Sequence, residues 1–162
     1  MEIRKVDGQT AEAVAPLVAD FRVTLSSYKG EEAFPDTESG KEEILGFLEK
    51  GFPVFAAWEE GVPVGYIVCR TDGPCLWVEH IFVSKEHRRK GIATMLFSKA
   101  EEIAASMGED TVYNYVHPTN QGMIEFLRSK GYTVLNLIEI RKPYREEKLK
   151  TTIRVEDNVF DY

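Results

Sequence analysis

The first residues, EIRKV, alternate and predict a short strand at 2–6. From Thr10 the spacing changes. Val14, Leu17, Val18, Phe21 and Leu25 recur every three to four positions, which predicts a helix from a Thr10 cap to about Ser27. The polar stretch from Tyr28 to Gly40 interrupts that pattern with Gly30 and Pro35. Ile44, Leu45, Phe47 and Leu48 then predict a second helix over 41–50, stopped by Gly51. Beyond it the period shortens to two. FPVFAAWEE and VPVGYIVCR are joined at Glu60-Gly61, and TDGP turns the chain into CLWVEHIFV, so three strands follow one another antiparallel. Ile92, Met95, Leu96, Ile103 and Ala104 make one apolar stripe of a helix over 91–107. Next come a strand, TVYNYV, a helix over 119–130 stopped by Gly131, and a strand, YTVLNLIEI. The charged link RKPYREEKLK leads to a last strand, TIRVEDNVF. The order is β-α-α-β-β-β-α-β-α-β-β with no repeat and no long linker. It predicts a single α/β (α+β) domain over 1–162, a mixed, mostly antiparallel sheet flanked by helices.

Composition narrows the class. The 162 residues are 43% hydrophobic and 29% charged, which suits a packed core and excludes a disordered chain or a disulfide mini-scaffold. No apolar run approaches the roughly 20 residues of a spanning helix, and the start, MEIRKVDGQT, lacks the apolar core of a secretory signal. The expectation is a cytoplasmic protein without a membrane partner. A net charge of −7 argues against nucleic acid as partner. That charge is local: residues 1–60 hold thirteen acids and six bases, while residues 61–162 hold fourteen of each. Cys69 and Cys75 bracket TDGP and can face each other across a hairpin, yet such pairs stay reduced in a cytosol. His80, His87 and His117 are too scattered to complete a metal site, so none is expected.

Chemistry concentrates in CLWVEHIFVSKEHRRKGIATMLFSKAEEIA. A strand runs into the short basic loop SKEHRRKG, which opens onto a long helix. Such a helix start offers unpaired N–H groups and the positive end of a dipole, a site for phosphate. Gly91 lets an anion approach the backbone and Ala93 keeps the next turn small, while Lys85, Arg88, Arg89 and Lys90 surround the mouth with positive charge. The loop is neither a Walker A sequence nor a dinucleotide fingerprint.

The pattern Arg88-x-x-Gly91-x-Ala93 between strand and helix resembles the acyl-CoA pyrophosphate loop of the GNAT superfamily of N-acyltransferases. The block HPTNQGMIEFLRSKGY is similar to that family's second motif, with Asn120, Gly122, Phe126, Gly131 and Tyr132 in the matching places. The resemblance implies a GNAT-like fold whose fourth and fifth strands splay apart, and acetyl-CoA as acyl donor. It implies that Ile81, Phe82 and Val83 pair with the pantetheine arm. The amides of Arg88, Arg89, Lys90, Gly91, Ile92, Ala93 and Thr94 would hold the pyrophosphate. Asn120 and Phe126 would line the other side of the arm.

Amide formation from a thioester needs a neutral amine, whereas an alkylamine with a pKa of about 10.4 is mostly protonated at pH 7. A carboxylate within reach can take the proton. Glu79, an acid inside an apolar strand, is the candidate base, and it stands where many family members place one; the competing reading is an ion pair with a neighbouring strand. Alternation puts Glu79, Ile81 and Val83 on one face and His80 and Phe82 on the other. The Tyr that often protonates the leaving thiolate in this family is replaced by Leu127, and Tyr113, Tyr115, Tyr132 and Tyr144 are alternatives. The family builds its acceptor site partly from the link between the first two helices. Here that link carries Glu31, Glu32 and Asp36, which favours a cationic acceptor amine. Acetylation of protein N-termini or lysines is a second expectation, a non-catalytic acyl-CoA sensor a third, and a homodimer is compatible with the last strand.

Overall fold

The first strand, β1 (Glu2–Lys5), lies at the edge of a five-stranded sheet ordered β1-β2-β3-β4-β5, with β2 at Val54–Glu59, β3 at Val62–Asp72, β4 at Cys75–Val83 and β5 at Tyr113–Asn114. The first four strands are antiparallel neighbours; β5 joins β4 in parallel through two pairs only, Trp77 with Tyr113 and Val78 with Asn114. Helices α1 (Ala11–Tyr28), α2 (Thr37–Glu49) and α3 (Ile92–Ser106) flank the sheet. The computed structural model describes residues 1–162 and forms two units, Met1–Tyr115 and Val116–Tyr162. The second unit holds α4 (Gln121–Ser129) and a hairpin of β6 (Thr152–Val155) and β7 (Asn158–Asp161).

Local chemistry sets the helix starts. Thr10 precedes α1, but its hydroxyl bonds to Asp7, whose carboxylate accepts the amides of Gln9 and Thr10; Thr10 itself caps no helical N–H. Helix α2 begins at Thr37, four residues before the start at Lys41 that the pattern predicts. Asp36 accepts from the Ser39 amide and hydroxyl, and this cap nucleates a polar first turn. Val14, Leu17 and Val18 of α1 and Ile44 and Phe47 of α2 bury against Ala56, Tyr66, Val68 and Phe82. The helices meet closely at Gly40, where a Cβ would stand 2.5 Å from the Ala15 carbonyl oxygen. Helix α3 packs on β2, β3 and β4, with Leu96 and Val83 both within 3.3 Å of the place a Cβ on Gly65 would occupy.

Three expectations are corrected. TVYNYV pairs at only two of its residues. YTVLNLIEI forms no strand: Val134, Leu135, Leu137, Ile138 and Ile140 are exposed. TIRVEDNVF is a hairpin that turns at Glu156 (φ 52°), not one strand. A strand needs a neighbour for its peptide groups; β6 and β7 take each other, and residues 133–140 pair with no strand. Cys69 lies opposite Val78 and Cys75 opposite Asp72, so the two cysteines do not face each other, and both are free thiols.

Candidate active site

The short β4–β5 pairing creates a slot. It ends at Val78 and Asn114, while β4 continues to Val83, so Glu79 to Val83 have no β5 neighbour. At its far edge the Ser84 amide donates to the Val64 carbonyl, 2.9 Å away. Antiparallel alternation therefore turns the peptide groups of Ile81 and Val83 away from β3, into the open slot. At the vertex the Asn114 side-chain oxygen is buried without a partner.

Beyond Val83 the chain makes a 3-10 turn, Lys85–His87, and enters α3. His87 anchors this loop, its Nδ1 2.8 Å from the Ser84 hydroxyl and its Nε2 3.2 Å from Glu59 at the end of β2. Arg89 (φ 61°) and Gly91 (φ 79°) are both left-handed, a conformation Gly tolerates and Arg rarely adopts. No side chain caps α3, and a Cβ on Gly91 would meet nothing within 4 Å. The α3 start is thus an open backbone cradle, with Ile92 buried beneath and Ala93 and Thr94 half-buried. Lys85, Arg89 and Lys90 are exposed around it. These features fit a diphosphate-bearing donor whose arm lies along the slot. Arg88, also exposed, additionally donates from Nε to the Val83 carbonyl and lies over the Phe82 ring.

Glu79 bulges out of the β3–β4 ladder, because Val68 pairs with His80 and Cys69 with Val78. Its carboxylate, 32% exposed, accepts from Arg70 Nε at 3.0 Å, and Arg70 also reaches Asp72 and lies over Trp77. The ion pair weighed from sequence is therefore present, at the first residue past the vertex. Trp77 stacks on Tyr115 and tilts against Tyr113 beside it.

His80, the next residue, is 5% exposed. Its Nδ1 is 3.1 Å from the Tyr66 hydroxyl, and its Nε2 faces the Arg22–Glu43 ion pair, 3.4 Å from Arg22 and 3.5 Å from Glu43. Phe21 and Phe47 pack on the ring. Burial pushes the imidazole down to about 3, and Arg22 adds to the shift, so His80 is neutral and structural. Burial also pushes the Cys69 thiol up to about 12, which removes it as a nucleophile.

Two cavities lie on the α1 side. One of about 330 Å³ is lined by Phe82, Lys85, Glu86 and Arg88 and, across from them, by Asp20, Val23, Thr24 and Pro35. A smaller one of about 100 Å³ lies between α1 and α2, with Arg22, Asp36 and Glu43 in its wall. Asp36 is committed to its cap, and the Ser39 hydrogen bonds hold its carboxyl below the usual range. Glu31 and Glu32 are exposed and line neither cavity. The sequence reading missed Asp20 and Thr24. Their i, i+4 spacing puts them on one helix face, yet nothing local says that this face looks toward β4. The first unit thus gathers Glu79, Ile81 to Val83 and Arg88 to Thr94. Asn120 and Phe126 belong to the second unit, where Asn120 caps α4 through the Met123 amide and Phe126 is half-buried.

A family model described as acetyltransferase (GNAT) family matches residues 19–132. An uncharacterised N-acetyltransferase of Methanocaldococcus jannaschii is 34% identical over 95 residues, covering 52% of this chain and 39% of that protein, so well under two thirds of that relative is spanned. An aminoglycoside antibiotic 6'-N-acetyltransferase from Acinetobacter haemolyticus superposes with a TM-score of 0.66 at 17% identity, covering 90% of this chain and 100% of that one. The PaiA N-acetyltransferase from Thermoplasma acidophilum, in complex with coenzyme A, gives a TM-score of 0.66 at 20% identity, covering 80% and 87%. The chain belongs to the acetyltransferase (GNAT) family, and it has that family's fold.

Proposed function

We propose that this protein, acting as one domain over 1–162, moves the acetyl group of acetyl-CoA to the primary amine of a small cationic molecule. The observation that carries the reading is the unpaired edge of β4 between Glu79 and Val83, leading straight into the uncapped start of α3. The peptide groups of Ile81 and Val83 suit pairing with the amides of a pantetheine arm. The amides from Arg88 to Thr94 suit a diphosphate.

The acceptor enters from the α1 side. A cavity of about 330 Å³ is at the small end of the range for small-molecule sites. Its Val23, Pro35 and Phe82 suit an alkyl stem, and Asp20 and Glu86 suit a second positive charge on the acceptor. Asp20 takes over the role that the link acids Glu31 and Glu32 were expected to play. In the reaction the amine nitrogen bonds to the acyl carbon, the carbon–sulfur bond breaks, and CoA leaves as its thiol or thiolate. Glu79, at the vertex, receives the ammonium proton before attack. Tyr113 and Tyr115 lie on the Glu79 side of the sheet and are the nearest phenols by strand position.

The test is direct. At a hundredfold excess over its Kd, acetyl-CoA should raise Tm by about 5 °C or more, and NADH and ATP should not. Free-thiol release should then follow addition of spermidine, 1,4-diaminobutane or an aminoglycoside more readily than of singly charged tyramine or an alanine-terminated peptide. Glu79→Gln should depress kcat near pH 7 and recover at high pH, where the amine is already neutral. No stabilisation by acetyl-CoA sinks the whole reading; preference for the peptide moves the acceptor to protein; an unchanged pH–rate profile removes Glu79 as the base.

A further inference from the structure

Four cations, Lys85, Arg88, Arg89 and Lys90, surround the mouth of α3, and all four are exposed. Arg88 is set apart by what its side chain also touches. Its Nε–H donates to the Val83 carbonyl at 3.0 Å, and its guanidinium carbon lies 5.5 Å from the centre of the Phe82 ring. Both partners matter to the slot. The Val83 carbonyl is one of the peptide groups turned away from β3 toward the missing neighbour, so Arg88 occupies the last free acceptor on the open edge. Phe82 is 8% exposed; its ring faces the α1 side and forms, with Arg88, the wall of the 330 Å³ cavity opposite Asp20 and Val23.

We propose that Arg88 acts through its side chain as a positioning residue, ending the slot at Val83 and fixing Phe82 as the wall between donor arm and acceptor cavity, rather than as a phosphate clamp. The proposal rests on the acetyl-CoA reading above and deepens it. An arm pairing along β4 reaches Ile81 and the Val83 amide but finds the Val83 carbonyl already taken. That limits its register to one position. Held by the guanidinium face, Phe82 cannot swing into either space. Lysine would keep the charge but not the Nε–H fork or the flat stacking surface, so an Arg-to-Lys exchange here is not conservative.

This makes two roles separable. CoA binding should be measured by calorimetry, and kcat and KM with the panel amine of highest kcat/KM, for Arg88→Gln, Arg88→Lys and, as a control on exposed β1, Arg4→Gln. A positioning residue leaves the Kd for CoA within about twofold in both Arg88 variants, yet lowers kcat/KM for the amine by about tenfold or more, the scale of one lost hydrogen bond plus ring fixation. Lysine should not rescue it, and Arg4→Gln should not reproduce it. Loss of CoA affinity by about tenfold in Arg88→Gln, restored in Arg88→Lys, identifies a phosphate clamp and overturns the proposal. An unchanged kcat/KM overturns it too. Melting curves with and without CoA keep a folding defect apart from either outcome. If the wild-type protein binds no CoA at all, the functional reading falls first; if it binds and Arg88 proves a clamp, only this inference falls.

Discussion

His80 shows how one buried side chain couples two helices to a strand. It has Tyr66 on one nitrogen, the Arg22–Glu43 pair at the other, and two phenyl rings on its faces. Its folded-state value of about 3 lies below the ordinary 6.5, so between those values the unfolded chain holds a proton that the folded chain refuses. Stability from this site is complete above about pH 6.5 and is lost as pH falls toward 3, with a slope of at most about 1.4 kcal/mol per pH unit. Replacing it by Gln removes that slope. Urea unfolding at pH 7 and pH 4.5 should show a smaller pH effect in His80→Gln than in the wild type, together with a loss of about 1–3 kcal/mol at pH 7 from the Tyr66 hydroxyl left without its partner. Equal pH dependence in the two proteins would show that His80 is not the titrating group. From sequence, alternation set His80 on the face opposite Glu79; the bulge at Glu79 breaks that alternation, since Arg70, which holds Glu79, shares a β3 face with Tyr66, which meets His80. Its partners were not legible, since Arg22 and Glu43 come from elements 58 and 37 positions away.

Helix α2 contains a matched pair of glycines that separates intrinsic propensity from packing. Gly46 has open space where a Cβ would go, while at Gly40 that Cβ would strike the Ala15 carbonyl at 2.5 Å and the Ala19 amide at 3.1 Å. The same change to Ala should therefore have opposite signs on one helix. Gly46→Ala should stabilise by about 0.5–1 kcal/mol through helix propensity. Gly40→Ala should cost about 1–3 kcal/mol by forcing α1 and α2 apart, and should also raise KM for the amine if the cavity that α1 lines with Asp20 and Val23 is the acceptor site proposed. Chemical denaturation of the two variants checks the signs; a stabilised Gly40→Ala would show that α1 and α2 do not meet at that crossing. The start of α2 also shows where periodicity stops being informative. Its first turn, TESG, is polar, so the apolar pattern missed it although Asp36 and Ser39 carried the capping signal.

The acidic excess of the molecule lies within residues 1–60, and the fold brings part of it, Asp20, to face the basic loop of 84–91 across one cavity. A cationic acceptor should thus feel a field that salt weakens. Raising ionic strength from about 20 to about 300 mM should increase KM several-fold for spermidine and leave it nearly constant for tyramine. Equal salt dependence for both would remove charge steering from the acceptor site. No helix is long and apolar enough to cross a membrane. Features that depend on neighbours in the chain were legible before any coordinates: α1 and α3 from apolar spacing, β2 to β4 from alternation and turn residues, the uncapped start of α3 from a strand, a basic loop and Gly91 in immediate succession. Features that depend on which distant groups meet were not. Alternation in YTVLNLIEI could not reveal that its residues would find no neighbouring strand. Nor could a run of four cations reveal that Arg88 alone folds back onto Val83 and Phe82, or a helix face that Asp20 looks across to β4. Short-range sterics and periodicity act along the chain and are written in its order; the slot and its walls arise where separate elements pack, and their geometry comes into being only with that packing.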